Sequence, residues 1–336
     1  MFFPPWLRGF VASWLNFMRI IFFGSGAFAR PTLQWLAQSA HAVAAVVTQP
    51  AKGSGRGQHV ARTPVGALAQ DLGIEVLEAE DVNAQACLDQ LTSMDAALGL
   101  VIAFGQKLGP DLLGTFPFGC VNLHASLLPK YRGAAPINWA LIRGENETGC
   151  TVFKIVERMD AGPVIAMRST LIQPEETAGE LHDRLAAIGV DAVRAALERY
   201  GNGEEPTMTP QDEALATKAP KLKKELGIID FTRAAEAVAH HISGVTPWPG
   251  AQTRFESQQG RWENVLITRA RRAETPTGGN IAHGALDERL HVACGNGFLE
   301  ILEIQPSSGR NMPWRDYVNG RHVCAGDRFV TVSTLA

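Results

Sequence analysis

The sequence predicts an α/β protein: a doubly wound, mostly parallel sheet, then a linker, then a small β-barrel. Three observations carry this. Strand-like apolar runs alternate with helical runs from residue 19 to about residue 200, the pattern of parallel strands with crossover helices. Residues 201–220 are rich in Gly, Pro, Thr and acid, the composition of a connector. Beyond it, several short β-prone runs are separated by turn signals, as in a barrel. At 336 residues two domains are the expected division, and an apolar fraction of 46% supplies a core. We place a first domain at 18–203, the linker at 204–222 and the barrel at 223–336, behind an N-terminal extension over 1–17.

Residues 19–23, RIIFF, read as a buried strand. GSGAFA follows, then a helix to about residue 39. Gly24, Gly26 and Ala29 match the dinucleotide fingerprint, which needs an acidic residue after the second strand for the ribose. That strand, 42–47, ends in Thr48-Gln49-Pro50 with no acid. The glycines therefore read as permission for a tight strand-to-helix turn, and no NAD is expected. Residues 51–63, AKGSGRGQHVART, read as a Gly-rich basic loop, either solvated or an arm for a polyanion. A helix (64–72), a strand (74–77), a helix (82–91) and an apolar strand (96–103) complete the alternation, closed by Phe104-Gly105.

The stretch GCVNLHASLLPKYRG, 119–133, stands at the centre. Val121 and Leu123 alternate with Asn122 and His124, so the polar pair shares one face of a strand. In open α/β sheets ligands bind beyond the carboxyl ends of strands. On these residues alone, a structural and a functional role stand level. Asp160, in the tight turn Met159-Asp160-Ala161-Gly162-Pro163, is the downstream partner that favours function. A helix-like run over 134–143 follows the stretch, and 148–156 and 164–169 read as strands. Thr177 with Glu180 is a capping box for a helix to about residue 200. In the last third we expect a helix at 232–244, strands at 251–255, 264–270, 289–293 and 298–304, a helix near 313–319 and a last strand at 328–332.

A net charge of -3 gives no whole-chain pull toward nucleic acid. From Lys223 onward 13 Lys and Arg face 12 Asp and Glu, against 18 and 22 before it, so the basic side is the C-terminal one. Arg269, Arg271 and Arg272 are placed to form one basic edge. The five cysteines form no C-x-x-C pair, so neither a zinc ribbon nor a redox pair is signalled; free thiols in a reducing cytoplasm are expected. Residues 1–17 carry eight large apolar side chains and one charge, Arg8. That is short for a membrane span, and no small-residue cleavage site precedes Met18. A short packed helix and an upstream extension with Met18 as the natural start both fit; the second is favoured.

VNLHASLLPKYRG with a downstream MDAGPVI resembles the formyltransferases that use 10-formyltetrahydrofolate. KLKKELGIIDF, TPWPG and the long run LEILEIQPSSGRNMPWRDYVNGRHVCAGDRF narrow the resemblance to the branch that acts on methionyl initiator tRNA. It runs from about Met18 to the C-terminus. Residues 24–28 read Gly-Ser-Gly-Ala-Phe where that branch often has Gly-Thr-Pro-x-Phe, and the turn after the second strand lacks Asp-Arg-Pro while keeping Gly55-Arg56-Gly57. The resemblance implies a Rossmann-like domain joined to an OB-like barrel. It implies a catalytic trio of Asn122, His124 and Asp160. Ser126, Leu127, Leu128 and Pro129 match the folate-contacting turn, with Phe104 and Gly105 helping to wall the pterin pocket. The co-substrate would be 10-formyltetrahydrofolate, with neither metal nor NAD, and the partner methionyl initiator tRNA. For the tRNA side, Arg56 in the Gly-rich loop, the linker lysines Lys221, Lys223 and Lys224, and the arginine edge are the candidates; a plain solvated face fits the arginines equally. A monomer without membrane attachment is expected.

In that reaction the α-amino group attacks the formyl carbon and a tetrahedral oxyanion forms. A free α-amino group titrates near about 8, so a neutral fraction exists without a strong base. The larger need is oxyanion stabilisation, for which Asn122 and a ring N–H of His124 are the donors. Asp160 is the carboxylate to stand beside the ring and relay the amine's proton to the leaving N10. The same chemistry on a sugar nucleotide or purine precursor, a formate-releasing hydrolase, an NAD oxidoreductase and a non-enzymatic RNA-binding module are the competing readings.

Overall fold

The computed structural model describes residues 17–54, 59–201, 204–274 and 281–332. The expected N-terminal extension, apart from Phe17, and Arg56 lie outside the described residues. Two compact units divide the chain. The first takes residues up to 132 with 149–170 and 183–218; the second takes 133–148, 171–182 and 219 onward.

The strands of the first sheet are β1 (Arg19–Gly24), β2 (Ala42–Thr48), β5 (Val76–Glu78), β6 (Leu98–Ile102), β7 (Cys120–His124), β8 (Glu147–Lys154) and β9 (Val164–Leu171), in the order β5-β2-β1-β6-β7-β8-β9. β1 pairs in parallel with both β2 and β6, β2 with β5, and β6 with β7; β8 then runs antiparallel to β7. The sheet is thus mostly parallel, as expected. Strand order reverses direction at β1, and the crevice of such a sheet lies beyond the carboxyl ends of the strands beside that reversal. β1 and β6 are buried along nearly their whole length, which explains their near-continuous apolar runs.

Phe23 anchors one core face, meeting Phe104 and Phe116 edge-on at centroid distances of 5.6 and 6.1 Å. β6 stops at Ile102, short of the expected 103, because Ala103 turns to φ +47 and its carbonyl accepts from Ser25 N and Gly26 N. That carbonyl ties the Gly24–Gly26 turn to the end of β6. The helix Ala178–Glu198 opens on the expected capping box: Thr177 N donates to Glu180 Oε2 at 2.9 Å and Glu180 N to Thr177 Oγ1 at 3.4 Å. Gly189 in this helix lies on Leu123, where a Cβ would come within 2.7 Å of the leucine, so the helix rests closely on the strand that carries His124.

The expected basic loop over 51–63 is not wholly irregular. β3 (Lys52–Ser54) pairs antiparallel with β4 (His59–Ala61), so its backbone groups satisfy one another. A short helix, Pro110–Gly114, was not expected; five residues are too few for a periodic signal.

In the second unit, β10 (Gln252–Glu256), β11 (Trp262–Arg272), β12 (Val292–Ala293), β13 (Phe298–Pro306) and β15 (Arg328–Val330) form an antiparallel, nearly closed barrel-like sheet in the order β12-β13-β11-β10-β15, with β14 (Met312–Pro313) on β13. Ile229, Val238 and Ile242 from before the barrel pack with Val265, Ile267, Leu299, Ile301 and Phe329 from its strands. β12 is shorter than the expected 289–293 because Asp287 Oδ1 accepts from Arg289 N and His291 N, and Leu290 turns to φ +61. The helix Ala235–Val245 starts later than the expected 232 for a related reason. Asp230 Oδ1 accepts from Thr232 N, making a turn there instead. Among the described residues no helix is long and apolar enough to cross a membrane.

Candidate active site

β7 delivers the polar face. Its register puts Asn122 opposite Val101 of β6 and Phe153 of β8, and His124 opposite Thr151. Asn122 stays half-buried while His124 is 7% exposed, its ring edge-on to Phe153 at 6.5 Å. A histidine so deeply set needs partners for both nitrogens. Nε2 meets the Tyr131 carbonyl at 2.9 Å; only an N–H can satisfy that oxygen, so Nε2 carries the proton. Nδ1 lies 3.9 Å from Asp160 Oδ2. That separation is beyond direct hydrogen-bond reach. Asp160 is itself mostly buried and occupies the turn between β8 and β9 at φ +52, in the left-handed region. The structure therefore brings His124 and Asp160 together from two separate segments, with Asn122 two positions before His124 on the same strand.

Gly162 explains how close that turn lies to the sheet. A Cβ at this position would stand 1.7 Å from the Lys154 carbonyl oxygen, so only glycine allows the approach.

The turn after β7 is held by its own polar groups. Ser126 Oγ donates to Lys130 O at 2.7 Å, Thr151 Oγ1 donates to Ser126 O at 2.7 Å, and Leu128 N donates to Thr151 Oγ1 at 3.1 Å. Ser126 and Leu128 are buried by this arrangement; Leu127 and Pro129 stay partly exposed and are the members of the four able to meet a ligand directly. The peptide between Leu128 and Pro129 is cis. Phe104 points its ring into the core against Phe23, so its main chain and the exposed Gly105 are what this strand end can present to a pocket. Gln49 Nε2 donates to Phe104 O at 3.0 Å and fixes that end.

Sequence reasoning passed over Tyr131 and Thr151. Tyr131 acts through its carbonyl and Thr151 through a hydroxyl on a neighbouring strand; neither role leaves a mark in side-chain periodicity. Cys120 and Cys150 are free, and burial pushes both thiols up to about 12, which keeps them protonated.

In the second unit Lys221, Lys223 and Lys224 are exposed. The arginine edge differs. Arg269 Nη2 meets Glu180 Oε1 at 2.6 Å and its Nε lies 3.5 Å from Glu303; Arg271 Nε meets Glu300 at 2.7 Å and its Nη1 lies 3.4 Å from Glu175. The Arg269 guanidinium holds the Glu180 carboxyl down at about 2. Arg272 is exposed beside them. Carboxylates thus offset this edge's positive charge, and the lysine row is the more available cationic surface.

Comparison with known proteins gives the family and the fold. A formyl transferase family model matches residues 18–197, and the model of the formyl transferase C-terminal domain matches 221–322. The methionyl-tRNA formyltransferase of Citrifermentans bemidjiense is 39% identical over 308 residues, 90% of this chain and 93% of that protein. That of Solibacter usitatus is 39% identical over 316 residues, 93% and 98% of the two chains. Among solved structures, WlaRD, a sugar 3N-formyl transferase crystallised in the presence of dTDP and 5-N-formyl-THF, superposes with a TM-score of 0.62 at 16% identity, covering 87% of this chain and 99% of its own. HypX from Aquifex aeolicus in complex with tetrahydrofolic acid gives 0.58 at 17% identity over 90% of this chain; the chain spans about half the length of HypX. At these identities the two structures speak for the fold.

Proposed function

This chain belongs to the formyl transferase family, and from that premise we propose that it transfers the formyl group of 10-formyltetrahydrofolate to the α-amino group of methionyl initiator tRNA. The carrying observation is the meeting of His124 and Asp160, with Nδ1 and Oδ2 3.9 Å apart, on the polar face shared with Asn122. The choice of acceptor is supported by the C-terminal domain match and by the methionyl-tRNA formyltransferases that are similar over most of the chain.

The neutral amine attacks the formyl carbon, a C–N bond forms and the carbonyl electrons move onto oxygen. Asn122 donates to that oxyanion through its amide. His124 Nε2–H is committed to Tyr131 O, so the ring's donor is Nδ1–H. The ring is then the imidazolium, and Asp160 balances its charge. Such preorganised donors each contribute about 10²–10³ in rate. Asp160 takes the proton released by the attacking nitrogen and passes it to N10 as the C–N10 bond breaks, which leaves formylmethionyl-tRNA and tetrahydrofolate.

Folate would meet Leu127, Pro129 and the chain at Phe104 and Gly105, with Ser126 and Leu128 holding the turn. Lys221, Lys223 and Lys224 would follow the tRNA backbone, as phosphate contacts position without reading sequence. Arg269, Arg271 and Arg272 join them only where phosphates displace the carboxylates of their edge. Arg56 is assigned to the acceptor-stem end, where a weak first pair is cheap to open. We assign catalysis to 18–203, the linker to 204–222 and tRNA binding to 223–336, in a cytoplasmic monomer.

The test is incubation with 10-formyltetrahydrofolate and methionyl initiator tRNA, with elongator methionyl-tRNA as control. Formylmethionine on the initiator alone is the expected result. Formate release without any acceptor, or faster formylation of a sugar nucleotide or purine precursor, would overturn the reading.

A further inference from the structure

The geometry points to Gln211 as a positioning residue that holds the Asp160 turn against His124, an inference that rests on Asp160 being the reacting carboxylate proposed above. Asp160 sits at φ +52, in the left-handed region that is uncommon for a residue with a Cβ, though Asp enters it more readily than most, so hydrogen bonds across the turn decide how firmly it is held. Gln211 supplies such bonds. Its Nε2 donates to the Asp160 carbonyl at 2.9 Å and to the Gly162 carbonyl at 2.7 Å, spanning the turn with both amide protons.

The amide is itself locked. Its Oε1 accepts from Arg132 Nε at 3.1 Å and Nη2 at 2.7 Å. These partners settle which end of the amide is nitrogen, since a guanidinium offers no acceptor and a carbonyl no donor. The Arg132 side chain is 9% exposed and makes a two-pronged pair with Glu213 at 3.0 and 2.9 Å. Glu213 also holds Arg158, two positions before Asp160, at 2.7 Å.

The same short segment reaches the other catalytic side chain. Thr217 Oγ1 accepts from Tyr131 N at 2.8 Å, and the Tyr131 carbonyl is the acceptor for His124 Nε2. Thr209, two positions before Gln211, exchanges both backbone hydrogen bonds with Val164 at 2.8 Å. Residues 209–217, read from sequence as linker, therefore brace His124 through Tyr131 and Asp160 through Gln211. Catalytic geometry tolerates little slack, and a displacement of about 1 Å costs about 10²-fold.

Gln211→Glu in the full-length protein is the discriminating variant. It keeps the acceptor for Arg132 and turns a carboxylate oxygen toward two carbonyls in place of the NH₂. The expected result is a kcat lower by about 10–100-fold, with KM for folate and for tRNA within about twofold of the parent. In an Asp160→Asn background the same change should cost little more, because Gln211 acts through Asp160. A folded Gln211→Glu with unchanged kcat, a rise in KM alone, or a loss that multiplies fully with Asp160→Asn would overturn the inference. If Gln211→Glu shows no cooperative melt, Arg132→Lys serves instead: it keeps the charge for Glu213 but loses the fork on Gln211, and an unchanged kcat there also overturns it. Full activity in Asp160→Asn alone would instead remove the proposed role of Asp160.

Discussion

Nδ1 of His124 stands 3.9 Å from Oδ2 of Asp160, while Nε2 of the same ring is spent on the carbonyl of Tyr131. The second contact gives the first its chemistry. With Nε2–H anchored, Nδ1 is the ring nitrogen left on the Asp160 side; in the proposed reaction it is the donor to the oxyanion, and the carboxylate balances the protonated ring.

Removing these groups should stop chemistry and leave assembly intact. His124→Ala and Asn122→Ala are each expected to lower formylation by about 10²–10³, the usual cost of losing an oxyanion donor. Binding of methionyl initiator tRNA, followed by filter retention, should change little. Full formylation by His124→Ala would reject the assignment.

Gly162→Ala tests the turn by sterics alone. The added methyl would meet the Lys154 carbonyl, a backbone atom that cannot swing aside. The turn must move out, and with it Asp160. Overpacking of this kind costs about 1–3 kcal/mol. A lower melting temperature together with a fall in kcat larger than that of a matched surface mutant is expected; wild-type kcat would show that the turn need not sit so close.

Glu180 links acid stability to the Arg269 pair. The hydrogen bond from Arg269, with those from Thr177, holds this carboxyl at about 2, below an unfolded value of about 4.3. A depressed folded pKa means that the folded state binds fewer protons there. The contribution is present above about pH 4.3 and is lost as pH falls toward 2. The carboxylate is half exposed, so solvent screens the effect to a small one. Glu180→Gln should flatten denaturation midpoints between pH 4.5 and 2.5; an unchanged slope would remove the pair from the acid response.

His241 should govern a milder pH range. Burial, with Arg233 nearby, lowers its pKa from 6.5 to about 4, and its Nε2 has no hydrogen-bond partner among the described residues. The unfolded chain takes up the proton first. Stability is therefore full above about pH 6.5 and declines as pH falls toward 4, by up to about 3 kcal/mol. Urea denaturation of His241→Phe at pH 7.5 and pH 5 should show a smaller difference than the parent; an equal difference would place the sensitivity elsewhere.

The alternation of buried strands and helices, the Thr177–Glu180 cap and the polar pair on β7 were all legible in the sequence, because each is a local pattern with a fixed backbone period or spacing. The same locality explains the misplaced edges. β6 ends one residue early because the Ala103 carbonyl turns to Ser25 N and Gly26 N, far away in the chain, and β12 begins late because the Asp287 side chain closes a tight local turn on Arg289 N and His291 N that strand alternation does not register. Only tertiary structure decided that Nε2 of His124 belongs to Tyr131, that Arg269 and Arg271 face carboxylates, and that Gln211 grips the turn bearing Asp160. Those outcomes depend on which remote groups share a few ångströms once the chain has folded, and no one-dimensional period records that distance.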